Sequence, residues 1–417
     1  MRHLFRLLLL LVLLSLLSLG ALLWFGLSDE PTVIAGTRLS HQDIARAKSI
    51  LDRDDPRDLP AGTQRQLELS EDDLNLAANY LAQKYVPGGA RVVLHPDAAQ
   101  LDASLHLHRS PIRGYLNLSL ELLATPQGAR LTGLRIGRVA VPDTITRLLL
   151  RELAARAGRS RGASLALASV KELQLTEHSL RLTYEWQPEL LDAVRDELMP
   201  AGQAAAMAVY YDHLVALHAT GRARGGSLAE ALPPLFQLAV ERSSHSDPAT
   251  ENRALLAVLG AWASGRGMDR LLPPEQRKGR PARFRLKLQR RGDFAQHFLT
   301  SAALAANGDT LLSDAIGLYK EVKDSQGGSG FSFTDIAADR VGTRFGELAS
   351  SEDRAAYLQR RLADGLSEAD LMPPARDLPE HMTAAEFERR FGGVDSPAYL
   401  DMMAEIEARI DRLPLYR

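Results

Sequence analysis

The sequence predicts an α+β protein: an N-terminal transmembrane helix, an antiparallel-sheet domain with helices, then a mostly helical C-terminal domain. Three observations carry that expectation. Leu7 to Leu27 is an uncharged, mostly apolar run; short strand-like runs separated by turn residues follow from Arg91 to Trp186; and from Leu190 onward apolar residues recur at helical spacing. These shifts divide the chain into 1–28, a membrane anchor; 35–188, an extracytoplasmic α+β domain; 189–270, a helical hairpin region; and 277–417, a helical domain carrying a His/Glu/Asp cluster.

Arg2 and Arg6 precede the apolar run, and Asp29 and Glu30 follow it. A helix of that length spans roughly 30 Å, enough for a bilayer core. Cationic residues stay on the cytoplasmic side, so the N-terminus is expected in the cytoplasm and everything after Ser28 outside it. A cleaved signal peptide ending near Ser18-Leu19-Gly20 competes with this reading, but Ala21 to Leu27 prolongs the apolar stretch through Trp24, which favours an uncleaved anchor.

Leu39 to Tyr85 has a helical pattern, with Ser70 to Asp73 capping a helix that runs toward Tyr80 and Tyr85. Strands are expected at Arg91–His95, Leu101–His108, Tyr115–Leu123 and Ala129–Val141, then a helix at Ile145–Ala157 and a strand pair at Val170–Leu175 and Ser179–Trp186. Alternation assigns Leu101, Ala103, Leu105 and Leu107 to the core side of their strand and puts His106 and His108 on the solvent side. Two histidines with no third ligand near them in sequence make a weak metal motif.

Leu190–Leu198, Ala201–Ala219, Ser227–Arg242 and Pro248–Ser264 read as helices, with Tyr210, Tyr211, His213 and His218 all in the second. Arg277 to Arg291 holds eight Lys or Arg and no acid, and Phe284, Leu286 and Leu288 alternate with Arg283, Arg285 and Lys287 as an extended segment with one cationic edge would. Ser351–Asp364 and Ala384–Arg390 are helical. Ser396–Leu413 is an amphipathic helix with Leu400, Met403, Ile406 and Ile410 on one face.

Chemistry concentrates between Asp293 and Gly346. Breaker clusters at Asn307-Gly308-Asp309 and Gln326 to Gly330 divide this stretch into three helices. The first aligns Phe294, His297, Phe298, Ser301, Ala302 and Ala305; the second aligns Asp314, Gly317, Glu321 and Asp324; the third, capped by Ser332, aligns Asp335, Asp339, Gly342 and Gly346. Meeting of the three faces would gather His297, Glu321, Asp335 and Asp339, with Lys320, Arg340 or Arg344 as counter-charges. Such a cluster suits acid/base catalysis, with those four residues as the candidate catalytic set, or a divalent metal, or else a buried polar network that fixes helix packing, which is the favoured reading. The lone histidine has no second histidine at metal-ligand spacing, and no cofactor motif is present.

D-x-x-x-H-F, S-A-A-L-A, I-G-x-x-K-E-x-x-D, G-F-S-F-x-D-I-A-A-D and G-x-x-x-G in this stretch resemble the YfiM-like family of bacterial envelope lipoproteins, and more distantly the VanZ-like membrane proteins. That resemblance implies an envelope setting and a shared site at Asp293, His297, Lys320, Glu321, Asp324, Asp335 and Asp339. In the N-terminal half, LSEDDLNLAANYL, the strands and G-R-V-A-V-P resemble the membrane-anchored YpmS-like family, which implies no chemistry.

A net charge of −2 argues against bulk nucleic-acid binding, and the absence of cysteine excludes disulfides, thiol catalysis, Cys-ligated zinc and a lipobox. The resulting expectation is a single-pass inner-membrane protein of the bacterial envelope, attached through residues 7–27, with a periplasmic binding or structural role toward an envelope glycan, lipid or protein. The alternative is a hydrolase of peptidoglycan or another envelope glycan, with Glu321 as general acid and Asp335 or Asp339 as base or stabiliser. Geometry discriminates: a hydrolase needs its carboxylates in an open groove, a structural network needs them sealed.

Overall fold

The computed structural model of the protein describes residues 26–34, 59–85, 88–107, 114–125, 128–157, 159–190, 202–220, 226–265, 283–307, 330–394 and 396–417, together with Ala193, Leu272 and Gly279. Among the described residues the chain forms two compact units, the first ending at Ala193 and the second beginning at Gly202.

The expected transmembrane helix is overturned. Most of the apolar run, residues 7–25, lies outside the described residues, but its far end is strand: Leu27–Ser28 (β1) pairs antiparallel with Leu116 and Tyr115. Among the described residues no helix is long and apolar enough to cross a membrane. Uncharged apolar composition is common to a spanning helix and a buried strand, and the free edge beside Leu116 makes the end of the run a strand.

The first unit is α+β. Strands β2 (Gln64–Ser70), β3 (Gly88–His95), β4 (Ala98–His106), β5 (Tyr115–Thr125), β6 (Gly128–Ile136), β7 (Val139–Ala140), β8 (Val170–Leu175) and β9 (Ser179–Glu185) form two antiparallel sheets. One has the order β3-β4-β5-β6-β7 with β1 added on β5; the other is β2-β9-β8. Helices α1 (Glu71–Tyr85), α2 (Asp143–Ala157) and α3 (Arg161–Ser169) complete the unit. Ser70 and Asp73 form the expected reciprocal cap of α1. Past the cap, Glu71, Asn75 and Asn79 turn to the edge strand β3, where they accept from the backbone N–H groups of Leu94, Val92 and Ala90 at 2.8, 2.7 and 3.2 Å. An edge strand covered in this way is closed to further pairing.

The expected core face of β4 is reversed. Leu101 is exposed, whereas Asp102 and Ser104 are buried on the other face. Ser104 bonds the Asn117 side chain at 2.7 Å and accepts from the Val33 N–H at 2.9 Å, while Asn117 accepts from the Thr32 N–H. Thr32 and Val33 thus dock on this polar face, and hydrogen bonding there outweighs the simple apolar-in rule. His106, at the end of the same face as Asp102 and Ser104, is itself exposed and stacks on Tyr115; His108 is outside the described residues.

The second unit holds the large core. It contains α4 (Gln203–Ala219), α5 (Leu228–Arg242), α6 (Pro248–Ser264), α7 (Gly292–Asn307), α8 (Phe333–Ser350), α9 (Ala355–Ala363), α10 (Glu368–Leu371), α11 (Ala384–Phe391) and α12 (Pro397–Ile410). Gly226–Ser227 (β10) and Leu286–Lys287 (β11) add a short parallel pair. Tyr210, Tyr211, Phe236, Leu255, Phe294, Phe298, Phe331, Phe333 and Phe345 are all fully buried in one continuous cluster. Glu251 on α6 is also buried and binds Arg242 through two bonds of 2.8 and 3.0 Å, as well as the hydroxyls of Tyr210 and Ser246. On α12 the inward face is Tyr399, Ile406 and Ile410, and Leu400, expected inside, is half exposed.

Candidate functional site

The site is built where α7 and α8 cross. A Cβ added at Gly342 would lie 2.3 Å from the Phe298 carbonyl oxygen, and one at Gly346 2.3 Å from that of Ala302. Only hydrogen at those two positions lets the helix backbones touch. Short side chains can then bridge the helices, and the i, i+4 spacing aims His297 and Ser301 of α7 at Asp335 and Asp339 of α8.

His297 Nδ1 lies 3.0 Å from Asp339 Oδ2, and its Nε2 lies 3.7 Å from Asp335 Oδ2. Ser301 Oγ donates to Asp339 Oδ1 at 2.7 Å. Both oxygens of Asp339 are therefore engaged across the helix pair. His297, Asp335, Asp339 and Ser301 are 8, 6, 7 and 3% exposed.

Arg291 approaches from the segment before α7. Leu288 and Arg291 exchange both backbone bonds across a two-residue turn in which Gln289 and Arg290 hold φ of 51° and 64°. Left-handed backbone at non-glycine residues costs roughly 1–2 kcal/mol each. The Glu368 carboxylate offsets part of that by accepting from the Gln289 N–H at 2.8 Å, and the Gln289 side-chain amide donates to the Met372 and Pro373 carbonyls.

From this turn the Arg291 guanidinium contacts Asp293 at 2.6 Å and Glu380 at 2.5 Å, lies 3.8 Å from Asp335, and sits over the Phe294 ring. Burial pushes the carboxyls of Asp293 and Glu380 up, but bonding and attraction from Arg291 outweigh it and hold both below their ordinary values. Thr334 adds a hydroxyl donor to Glu380 at 3.1 Å.

The structure thus joins His297, Asp335 and Asp339 directly and brings in Asp293 through Arg291. Lys320, Glu321 and Asp324 lie outside the described residues. Arg340 and Arg344, expected as counter-charges, reach α12, where Arg340 pairs with Glu407 at 2.5 Å and Arg344 with Asp411 at 3.2 Å. Ser332 occupies the N-cap position of α8 without a capping bond; its hydroxyl accepts from the His381 N–H instead.

Sequence reasoning missed Arg291 and Glu380 as members of the cluster. Arg291 stood in a basic run that read as a solvated edge, and its only signal was its place two residues before Asp293. Glu380 is remote in sequence and gave none.

Chemically, an imidazole held between two carboxylates is a group able to carry a proton, with Asp339 orienting the ring through Nδ1. Among the described residues no group of three His, Asp or Glu side chains is arranged to hold a metal ion. No known family model, curated protein or solved structure matches this chain.

Proposed function

We propose that the protein has a binding or structural role in the periplasm of a bacterial envelope, and that the His297–Asp335–Asp339–Arg291 cluster holds its helical unit together. The observation that carries this reading is the sealing of the carboxylates: Asp335 and Asp339 are 6 and 7% exposed, and Asp339 spends both oxygens on His297 and Ser301. A glycan chain needs its acid and base at an open cleft. The envelope setting is supported by the resemblance of Asp293 to Gly346 to the YfiM-like family.

Asp339→Asn tests the role of the cluster, because it keeps the shape and removes the charge. The expected result is a loss of about 3–5 kcal/mol in a denaturant melt, the usual cost of breaking a buried pair. An unchanged melt accompanied by loss of a glycan-hydrolysing activity would overturn the reading. For the setting, a C-terminal tag should be digested when protease is added to spheroplasts; a protected tag would place the unit on the other side of the membrane.

A further inference from the structure

The α2 helix presents an apolar face outward. Its inner side is set by Thr146, fully buried, whose hydroxyl reaches the Val141 and Pro142 carbonyls, and by half-buried Leu150. On the outer side Ile145, Leu148 and Leu149 are 48, 67 and 45% exposed. Their i, i+3, i+4 spacing makes them one contiguous patch. Isolated exposed leucines are ordinary on a protein surface, but three large aliphatic side chains together on one helix face mark an interaction surface.

Charge indicates what covers it. Arg151, one turn on from Leu148, borders the patch, Arg147 lies further round on the flank of the helix, and both are exposed. From Arg138 to Arg161 the chain holds six arginines and two carboxylates; Asp143 accepts from Thr132, and Glu152, exposed one turn on from Leu148 and Leu149, is paired with Arg156 at 3.3 Å. An aliphatic helix face in a segment with this net excess of arginine is the pattern of a helix lying in an anionic lipid interface.

Position agrees with charge. A Cβ added at Gly26, next to last in the apolar sequence run, would lie 3.5 Å from the Ile136 side chain at the end of β6. From that same hairpin the chain leads into α2, with Val141 bonded back to the Leu134 carbonyl. The most apolar stretch of the sequence therefore ends beside the root of this helix.

We propose that α2 is an interfacial docking helix that lays Ile145, Leu148 and Leu149 into a bilayer surface carrying anionic lipids. Such docking needs no spanning helix, and it involves none of the residues of the buried cluster.

The chain has no cysteine, so Leu148→Cys in the full chain can carry a single environment-sensitive fluorophore, with His245→Cys, exposed on the second unit, as the control. The expected result is a blue shift of the residue-148 label alone on adding phosphatidylcholine–phosphatidylglycerol vesicles. In that labelled background, Arg147→Gln and Arg151→Gln should each weaken the vesicle titration about fivefold.

No shift with vesicles overturns the proposal, as does an equal shift of both labels. An equal response to pure phosphatidylcholine removes the anionic-lipid requirement. A label already blue without vesicles means that another segment of the chain covers the face, and a shift that grows with protein concentration alone means that a second copy does; either result overturns lipid docking.

Discussion

Gly342→Ala should destabilise the helical unit although alanine is the better helix former. By itself the exchange favours the helix by up to about 1 kcal/mol. The added Cβ, however, would sit 2.3 Å from the Phe298 carbonyl oxygen and 2.9 Å from two further Phe298 backbone atoms. Those are backbone atoms, so relief requires α7 and α8 to separate by about 1 Å, since carbon contacts are comfortable only near 3.5 Å.

Such a separation costs about 1–3 kcal/mol in lost packing. It would also stretch the His297–Asp339 contact from 3.0 Å beyond hydrogen-bonding range, costing about 1.5–3 kcal/mol more. Subtracting the propensity gain leaves a net loss of about 1.5–5 kcal/mol. Denaturant melts followed by far-ultraviolet circular dichroism measure it. A variant as stable as the parent, or more so, would refute the close-crossing account of the site.

Three further outcomes follow from other contacts. Burial raises the carboxyl of Glu251, but bonds from Arg242, Ser246 and Tyr210 outweigh it and hold the group below its ordinary 4.5; its contribution is complete above that pH and is lost as pH falls through the lower folded value. Glu251→Gln should flatten that acid limb of a stability-versus-pH curve and cost about 3–5 kcal/mol at neutral pH; an unaltered curve would remove Glu251 as its source. Asn117→Ala should release the segment docked on β4, so that the Thr32 and Val33 amides exchange with deuterium faster while those of β9 are unchanged; equal protection would mean that Ser104 alone holds the segment. Arg291→Met keeps the apolar contact with Phe294 but leaves Asp293 and Glu380 without their cation; their carboxyls should titrate higher by NMR, and unmoved values would show that Arg291 is not what lowers them.

The sequence by itself determined the local chemistry. Ser70 and Asp73 at N-cap spacing announced the start of α1, alternation marked the strands from Arg91 to Glu185, and i, i+4 spacing placed His297 with Ser301 and Asp335 with Asp339 on single helix faces. These are short-range consequences of helix and strand geometry, and they need no knowledge of the fold.

Tertiary structure decided which faces found partners. Leu101 and Leu400 lost their expected core positions because Thr32 and Val33 bond to the polar side of β4 and because Tyr399 supplies the inward side chain of α12. Leu27 became a strand because β5 offered it an edge, a contact between residues far apart in sequence. Arg291 joined the cluster only through the turn that aims it and through Glu380, and pairing across such separations leaves no periodic trace in the chain. Local rules fix which groups share a face; the identity of what meets that face is set by long-range packing, where hydrogen-bond satisfaction can outweigh hydrophobic pattern.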